Sequence, residues 1–220
     1  MANKFRIMCF GDSLTWGWIP TELGAPTERY PFDKRWTGIM AESLGSDYEI
    51  VEEGLSARTT NLDDPTDPRL NGSAYLPSAM ASHMPLNLVV VMLGTNDVKL
   101  IFKRSPFEIA FGMSKLLGQI FASSGGVGTV YPAPKTLLIA PPPLGEMRHP
   151  WFKSLFLQGQ EKTRELAIHY KALASFSKVD FLSAGDFMTT DGIDGIHFTE
   201  QNNATLANAV AEKVRQIQSR

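Results

Sequence analysis

The stretch FRIMCFGDSLTWGW, residues 5–18, decides the fold. Its apolar run Phe5–Phe10 does not alternate with polar residues, which suits a strand buried on both faces of a sheet. The run stops on Gly11-Asp12-Ser13, where glycines at 11 and 17 allow a sharp turn and leave a hydroxyl at the strand tip. Similar runs recur at Tyr48–Val51, Leu86–Leu93, Thr136–Ala140 and Val179–Leu182. Helical patterns fall between them at Arg35–Leu44, Tyr75–His83, Pro106–Ser123 and Phe152–Phe176, and a last helix is expected after Thr199. Such alternation predicts an α/β fold, a three-layer α/β/α sandwich around a mainly parallel five-stranded sheet.

A sheet of that kind binds ligands beyond the carboxyl ends of its strands. The segments that follow the runs are Gly11-Asp12-Ser13, then Glu52-Glu53-Gly54-Leu55-Ser56-Ala57-Arg58, then Gly94-Thr95-Asn96-Asp97, then Pro141-Pro142-Pro143-Leu144. Small and polar residues therefore crowd one rim. With 220 residues and no compositional break, the chain 1–220 reads as a single domain. Lys and Arg number 21 against 23 Asp and Glu, with neither sign gathered into a stripe, which argues against a nucleic-acid partner. The one cysteine, Cys9, sits in an apolar run and gives no reason to expect an oxidising compartment. Without a signal-peptide pattern or a membrane-length apolar stretch, the expected location is cytoplasmic, with no membrane partner. Two turn-rich stretches stand apart, residues 61–72 and 124–134; the first is long enough to be a cover over the site or a subunit contact, and a solvated excursion explains it equally well.

Ser13 is a nucleophile only if a base serves it; otherwise Asp12-Ser13 is an ordinary turn or helix cap. Of four histidines, His83 ends a helix, His149 lies in a loop, and His169 follows Glu165 by four on a helix. His197 differs: in Asp191-Gly192-Ile193-Asp194-Gly195-Ile196-His197, the carboxylate three residues earlier can fold onto the ring Nδ1–H and leave Nε2 free to take a serine proton. Asp191 is the weaker alternative as orienter, and Asp194 and His197 would also serve as cap and turn residues before Thr199. Acyl transfer needs donors for an oxyanion, and the N–H of Ser13, the N–H of Gly54 and the Asn96 amide are candidates on the same rim.

Together, Gly11-Asp12-Ser13-Leu14, Gly54, Gly94-Thr95-Asn96-Asp97 and Asp194-Gly195-Ile196-His197 resemble the four ordered blocks of the SGNH (GDSL) hydrolases. FGDSLTWGW, GAPTERY, RWTG, VEEGLSARTTN, DDPTDPRLNG, LGTND and DGIDGIHFTE are similar to the mycobacterial arylesterase/acyltransferase subgroup. The resemblance implies a flavodoxin-like fold, Ser13 as nucleophile, His197 as base, Asp194 as orienter, and Ser13, Gly54 and Asn96 as oxyanion hole. It also implies no cofactor and no metal, small ester and alcohol substrates with peroxide as a further acceptor, and homo-oligomers from dimers up to octamers. The sequence holds no HExxH, cysteine pair or phosphate-binding glycine loop of its own.

An apolar wall is expected from Leu14, Trp18, Trp151, Phe152, Phe156 and Ile196, with Thr95 beside them in the third block, favouring an alcohol over water as acyl acceptor. Rival activities with the same residues are sugar O-deacetylation and short-chain thioester cleavage. A flavodoxin-like binder of phosphate or nucleotide is the alternative outside catalysis, and it has no use for an Asp–His pair.

Overall fold

Five parallel strands order the chain in a computed structural model that describes residues 4–220. They are β1 (Phe5–Gly11), β2 (Tyr48–Gly54), β3 (Leu88–Met92), β4 (Lys135–Ala140) and β5 (Asp180–Ser183), in the order β2-β1-β3-β4-β5. The register runs Gly11 beside Gly54 on one side and beside Met92 on the other, so the ends of the three strands that precede the motif loops are level. The order reverses direction at β1, and a crevice opens between the carboxyl ends of β1 and β3.

The helices are α1 (Ser13–Trp16), α2 (Trp36–Leu44), α3 (Gly72–His83), α4 (Pro106–Phe121), α5 (Pro150–Leu155), α6 (Gly159–Ser177) and α7 (Glu200–Gln218). Strand side chains alternate between two cores, as the period of a strand requires. Met8, Phe10, Val89, Val91 and Leu138 pack with residues of α3, α4 and α6. Ile7, Cys9, Val90, Met92 and Leu137 pack with Trp36 and Met40 of α2 and with Leu206, Val210 and Val214 of α7. Both faces are covered, which is why the strands read as continuous apolar runs. No helix of the described residues is long and apolar enough to cross a membrane.

Several boundaries differ from the sequence expectation. The helix expected over Phe152–Phe176 is two, α5 and α6, because the chain leaves the helical path at Phe156 and Gln158 takes the left-handed conformation with φ 62°. Helix α3 starts at Gly72, three residues early: the Asn71 side chain accepts the Ala74 N–H and caps it, and Pro77 is carried inside the helix. The third strand is shorter than Leu86–Leu93, and the second runs on to Gly54. Ser105 and Glu108 form a reciprocal capping box at the start of α4, with Pro106 in its first turn.

Candidate active site

Ser13 is the first residue of α1, immediately after β1 ends. Gly11 makes the turn possible: a Cβ there would lie 2.1 Å from Thr15 Oγ1 and 3.0 Å from Met92 O. The Asp12 carboxylate caps the short helix by accepting the Leu14 N–H at 3.0 Å. Ser13 Oγ thus stands at the mouth of the crevice, only 5% exposed.

His197 comes from the turn before α7 and reaches the same point. Its Nε2 lies 2.9 Å from Ser13 Oγ, and its Nδ1 lies 2.7 Å from Asp194 Oδ2. A carboxylate only accepts, so Nδ1 carries the proton and Nε2 of the neutral ring is the acceptor for the serine hydroxyl. The other oxygen of Asp194 accepts the N–H groups of Ile196 and His197, each at 2.9 Å, and this fixes the carboxylate before the ring is considered. Burial disfavours the charge of Asp194, but these hydrogen bonds outweigh it and hold the carboxyl below its ordinary pKa. Asp191, the alternative orienter, is occupied elsewhere, accepting the N–H and hydroxyl of Thr199. Trp18 stacks on the imidazole, with ring centroids 5.0 Å apart and planes at 17°.

Ser13 and His197 border a hollow of about 170 Å³ together with Trp18, Gly24, Ala25, Ser56, Ala57, Asn96, Lys99, Phe152, Leu155, Phe156 and Ile196. Of the expected wall, Trp18, Phe152, Phe156 and Ile196 lie on it, and three residues do not. Leu14 is 2% exposed and turned into the core beneath the sheet, because its position in α1 faces α2 and α7. Thr95 is buried behind the hollow, and Trp151 is 69% exposed on the outer side of α5. The 61–72 loop does not reach this hollow. Pro68, Arg69 and Asn71 border a separate one of about 420 Å³, with Glu53, Gly54, Arg58 and Tyr75.

Gly54 borders that second hollow and is not among the residues that line the one beside Ser13. Its lack of a side chain serves packing: a Cβ would lie 2.4 Å from the Trp16 N, where α1 crosses the end of β2. Of this segment, Ser56 and Ala57 line the hollow with Ser13, and Ala57 is a non-glycine at φ 67°. Its N–H has no acceptor among the described residues, and neither has that of Ser13. The sequence signal was faint, since alanine rarely adopts that conformation.

Asn96 lies on the hollow and is held from behind, its Nδ2 donating to Arg58 O at 3.2 Å and to Asp12 Oδ2 at 3.3 Å. Arg58 is the hub of this buried layer. Its guanidinium donates to the carbonyls of Gly11 and Glu53 and lies 4.2 Å from the Phe10 ring centroid. It thereby ties the ends of β1 and β2 to the loop that carries Ala57. Burial lowers its pKa to about 10, with Glu53, Tyr75 and Asp12 pulling the other way. Burial likewise raises Asp12 to about 7, against the Leu14 N–H bond and with Asp97 adding to the rise. Asp97 is raised to about 6 by burial, although it accepts the Thr60 N–H and hydroxyl.

The remaining histidines are engaged away from Ser13. His83 Nε2 is 2.7 Å from Glu53 Oε1, His149 caps α5 through the Trp151 N–H, and His169 faces Glu165 at 3.4 Å. Lys99 on the hollow was not anticipated, because a lysine two residues past a motif is ordinarily a solvent-facing side chain.

The arrangement has close counterparts. Residues 9–204 match the GDSL-like lipase/acylhydrolase family. The structure of an aryl esterase from M. smegmatis is 63% identical, covering 98% of this chain and 99% of its own, with a TM-score of 0.95. A carbohydrate acetylesterase from Sinorhizobium meliloti is 60% identical, covering 97% of this chain and 100% of its own, with a TM-score of 0.96. A second carbohydrate acetylesterase family member from Sinorhizobium meliloti is 32% identical over 98% and 99%, with a TM-score of 0.90. No match was found among curated protein sequences. On the strength of the family match over most of its length and of these relatives, the chain belongs to the GDSL-like lipase/acylhydrolase family.

Proposed function

We propose that this acylhydrolase is a serine esterase that cleaves short-chain aryl and alkyl esters through an acyl-enzyme on Ser13. The observation that carries the reading is the unbroken line of hydrogen bonds from Ser13 Oγ to His197 Nε2 and from Nδ1 to Asp194. As Ser13 Oγ attacks the ester carbonyl, His197 takes its proton, then gives it to the departing alcohol. Water or a second alcohol attacks the acyl-enzyme by the reverse route and frees the acyl group. A hollow of about 170 Å³ supports short acyl groups, well below the several hundred Å³ of sites for larger ligands.

The oxyanion formed in each step is assigned to the N–H of Ser13, the N–H of Ala57 and the Asn96 amide, with Ala57 in place of Gly54. The bond from Asn96 to the Arg58 carbonyl, at 3.2 Å, is longer than the ordinary 2.9 Å, and a full negative charge in the hollow is a stronger acceptor than that neutral carbonyl. Asn96→Ala is expected to lower kcat by about 10²–10³-fold with little change in KM. Steady-state hydrolysis of p-nitrophenyl acetate measures it, and a loss under about fivefold would remove Asn96 from the oxyanion site.

Transfer to alcohols and peroxide belongs to the same proposal. Trp18, Phe152, Phe156 and Ile196 line the acyl-enzyme with apolar surface, which holds an alcohol better than water. The acetylesterase relatives support a second reading, removal of acetyl groups from sugars, with the same residues. Self-association from dimer to octamer is also carried over from the resemblance, and a cytoplasmic location from the expectation read in the sequence. The direct test of the central reading is a fluorophosphonate label mapped by mass spectrometry: an adduct on Ser13 supports it, and an unlabelled protein rejects it. An acyl-donor panel of aryl acetates, alkyl acetates, acetylated xylan and acetyl-CoA then separates the readings.

A further inference from the structure

The hollow beside Ser13 has one charged wall residue besides the Asp194–His197 pair, and the catalytic steps make no use of it. Lys99 is 7% exposed, and its Nζ lies 5.9 Å from the centroid of Phe156, another wall residue. Among the described residues that ammonium has no hydrogen-bond acceptor and no carboxylate in contact. A buried cation is costly unless something pairs with it, and burial indeed lowers the Lys99 pKa, while Asp64, Asp12 and Asp97 act on it from a distance in the opposite sense.

Those three carboxyls act on Lys99 through space only and are committed to other partners. Asp64 accepts the Thr66 N–H and hydroxyl, Asp12 caps α1, and Asp97 accepts from Thr60. Asp12, raised to about 7, is only partly ionised near neutral pH, and so offsets less of the lysine charge. The positive charge therefore borders a small, mostly apolar cavity next to the nucleophile.

We propose that Lys99 forms an anion subsite in this hollow, which selects esters carrying a second acidic group, a carboxylate a few bonds from the ester carbonyl or from the ester oxygen. The inference rests on the esterase reading above and goes beyond it by assigning a substrate class. Bound this way, the carboxylate replaces the water that solvates the ammonium in the free enzyme, and a charge-assisted hydrogen bond holds the ester against Ser13. Lys99 is a specificity residue here and takes no part in proton transfer.

The test compares two pairs of esters of matched shape. On the acyl side, monomethyl succinate is set against methyl succinamate; on the alcohol side, para-acetoxybenzoate is set against para-acetoxybenzamide. The readout is the ratio of kcat/KM for the anionic ester to that for its amide, whatever the absolute rates. In Lys99→Met this ratio is expected to fall about tenfold to a hundredfold on one of the two pairs, and in Lys99→Arg it should stay within about threefold of the parent. The affected pair tells whether the subsite serves the acyl or the alcohol side. Ratios unchanged in Lys99→Met on both pairs, or equal losses on anionic and neutral members, overturn the subsite. A parent protein that hydrolyses neither member of either pair overturns the esterase reading instead.

Discussion

Ser13→Ala is expected to lower hydrolysis of p-nitrophenyl acetate by at least about 10⁴-fold, because no oxygen remains to form the acyl bond. The fold should survive the change. The hydroxyl points into the hollow, its one side-chain partner is His197 Nε2, and water can replace it there. The main-chain features that shape α1, the Asp12 cap and the close approach at Gly11, are untouched. Circular dichroism and melting temperature should therefore match the parent while the burst of p-nitrophenol and the fluorophosphonate adduct both vanish. A variant retaining more than a tenth of the parent rate would mean that another group carries the chemistry.

Asp194→Asn is expected to cost about 10⁴-fold in kcat while leaving the protein folded. One oxygen of Asp194 accepts two main-chain N–H groups, and an asparagine keeps those bonds by placing its carbonyl there. Its NH₂ group then faces His197 Nδ1, which must accept, and the ring proton moves to Nε2. In that tautomer Nε2 presents a hydrogen to Ser13 Oγ and cannot take the serine proton. Steady-state kinetics with p-nitrophenyl acetate, read beside a melting curve, separate this outcome from simple unfolding. A loss below tenfold in a well-folded variant would assign the orienting role to a group other than Asp194.

The sheet was legible because burial on both faces leaves a plain mark: runs such as Leu88–Met92 hold no polar residue to break them. The helix break at Phe156–Gln158 left a fainter mark, since the glycine beside it, Gly159, opens α6 while the left-handed conformation falls on Gln158. At the site, residues tied to a strand end were easier to place than wall residues. The turn from Asp194 to His197 spans four residues and has few ways to fold, whereas the direction of Leu14 or Trp151 depends on which side of a helix meets the core. The second oxyanion donor proposed above shows the same limit. Gly54 stands out in the sequence as the motif glycine, but its missing side chain lets α1 cross β2, and an N–H left without an acceptor belongs to Ala57, three residues on. Lys99 escaped notice because composition gives no hint that an ammonium is walled in by Phe156 and faces a cavity.

The separation of α5 from α6 has an evolutionary consequence. Phe152, Leu155 and Phe156 ride on or next to a six-residue helix with its own start and stop, while Ser13, Asn96 and His197 hang from the sheet and the turn before α7. Part of the wall of the hollow is thus carried on a different piece of chain from the reacting groups, while Trp18, Lys99 and Ile196 stay beside them in sequence. The α5 hexamer can be exchanged, shortened or enlarged as a cassette, giving descendants of this protein new diets without retuning the proton relay.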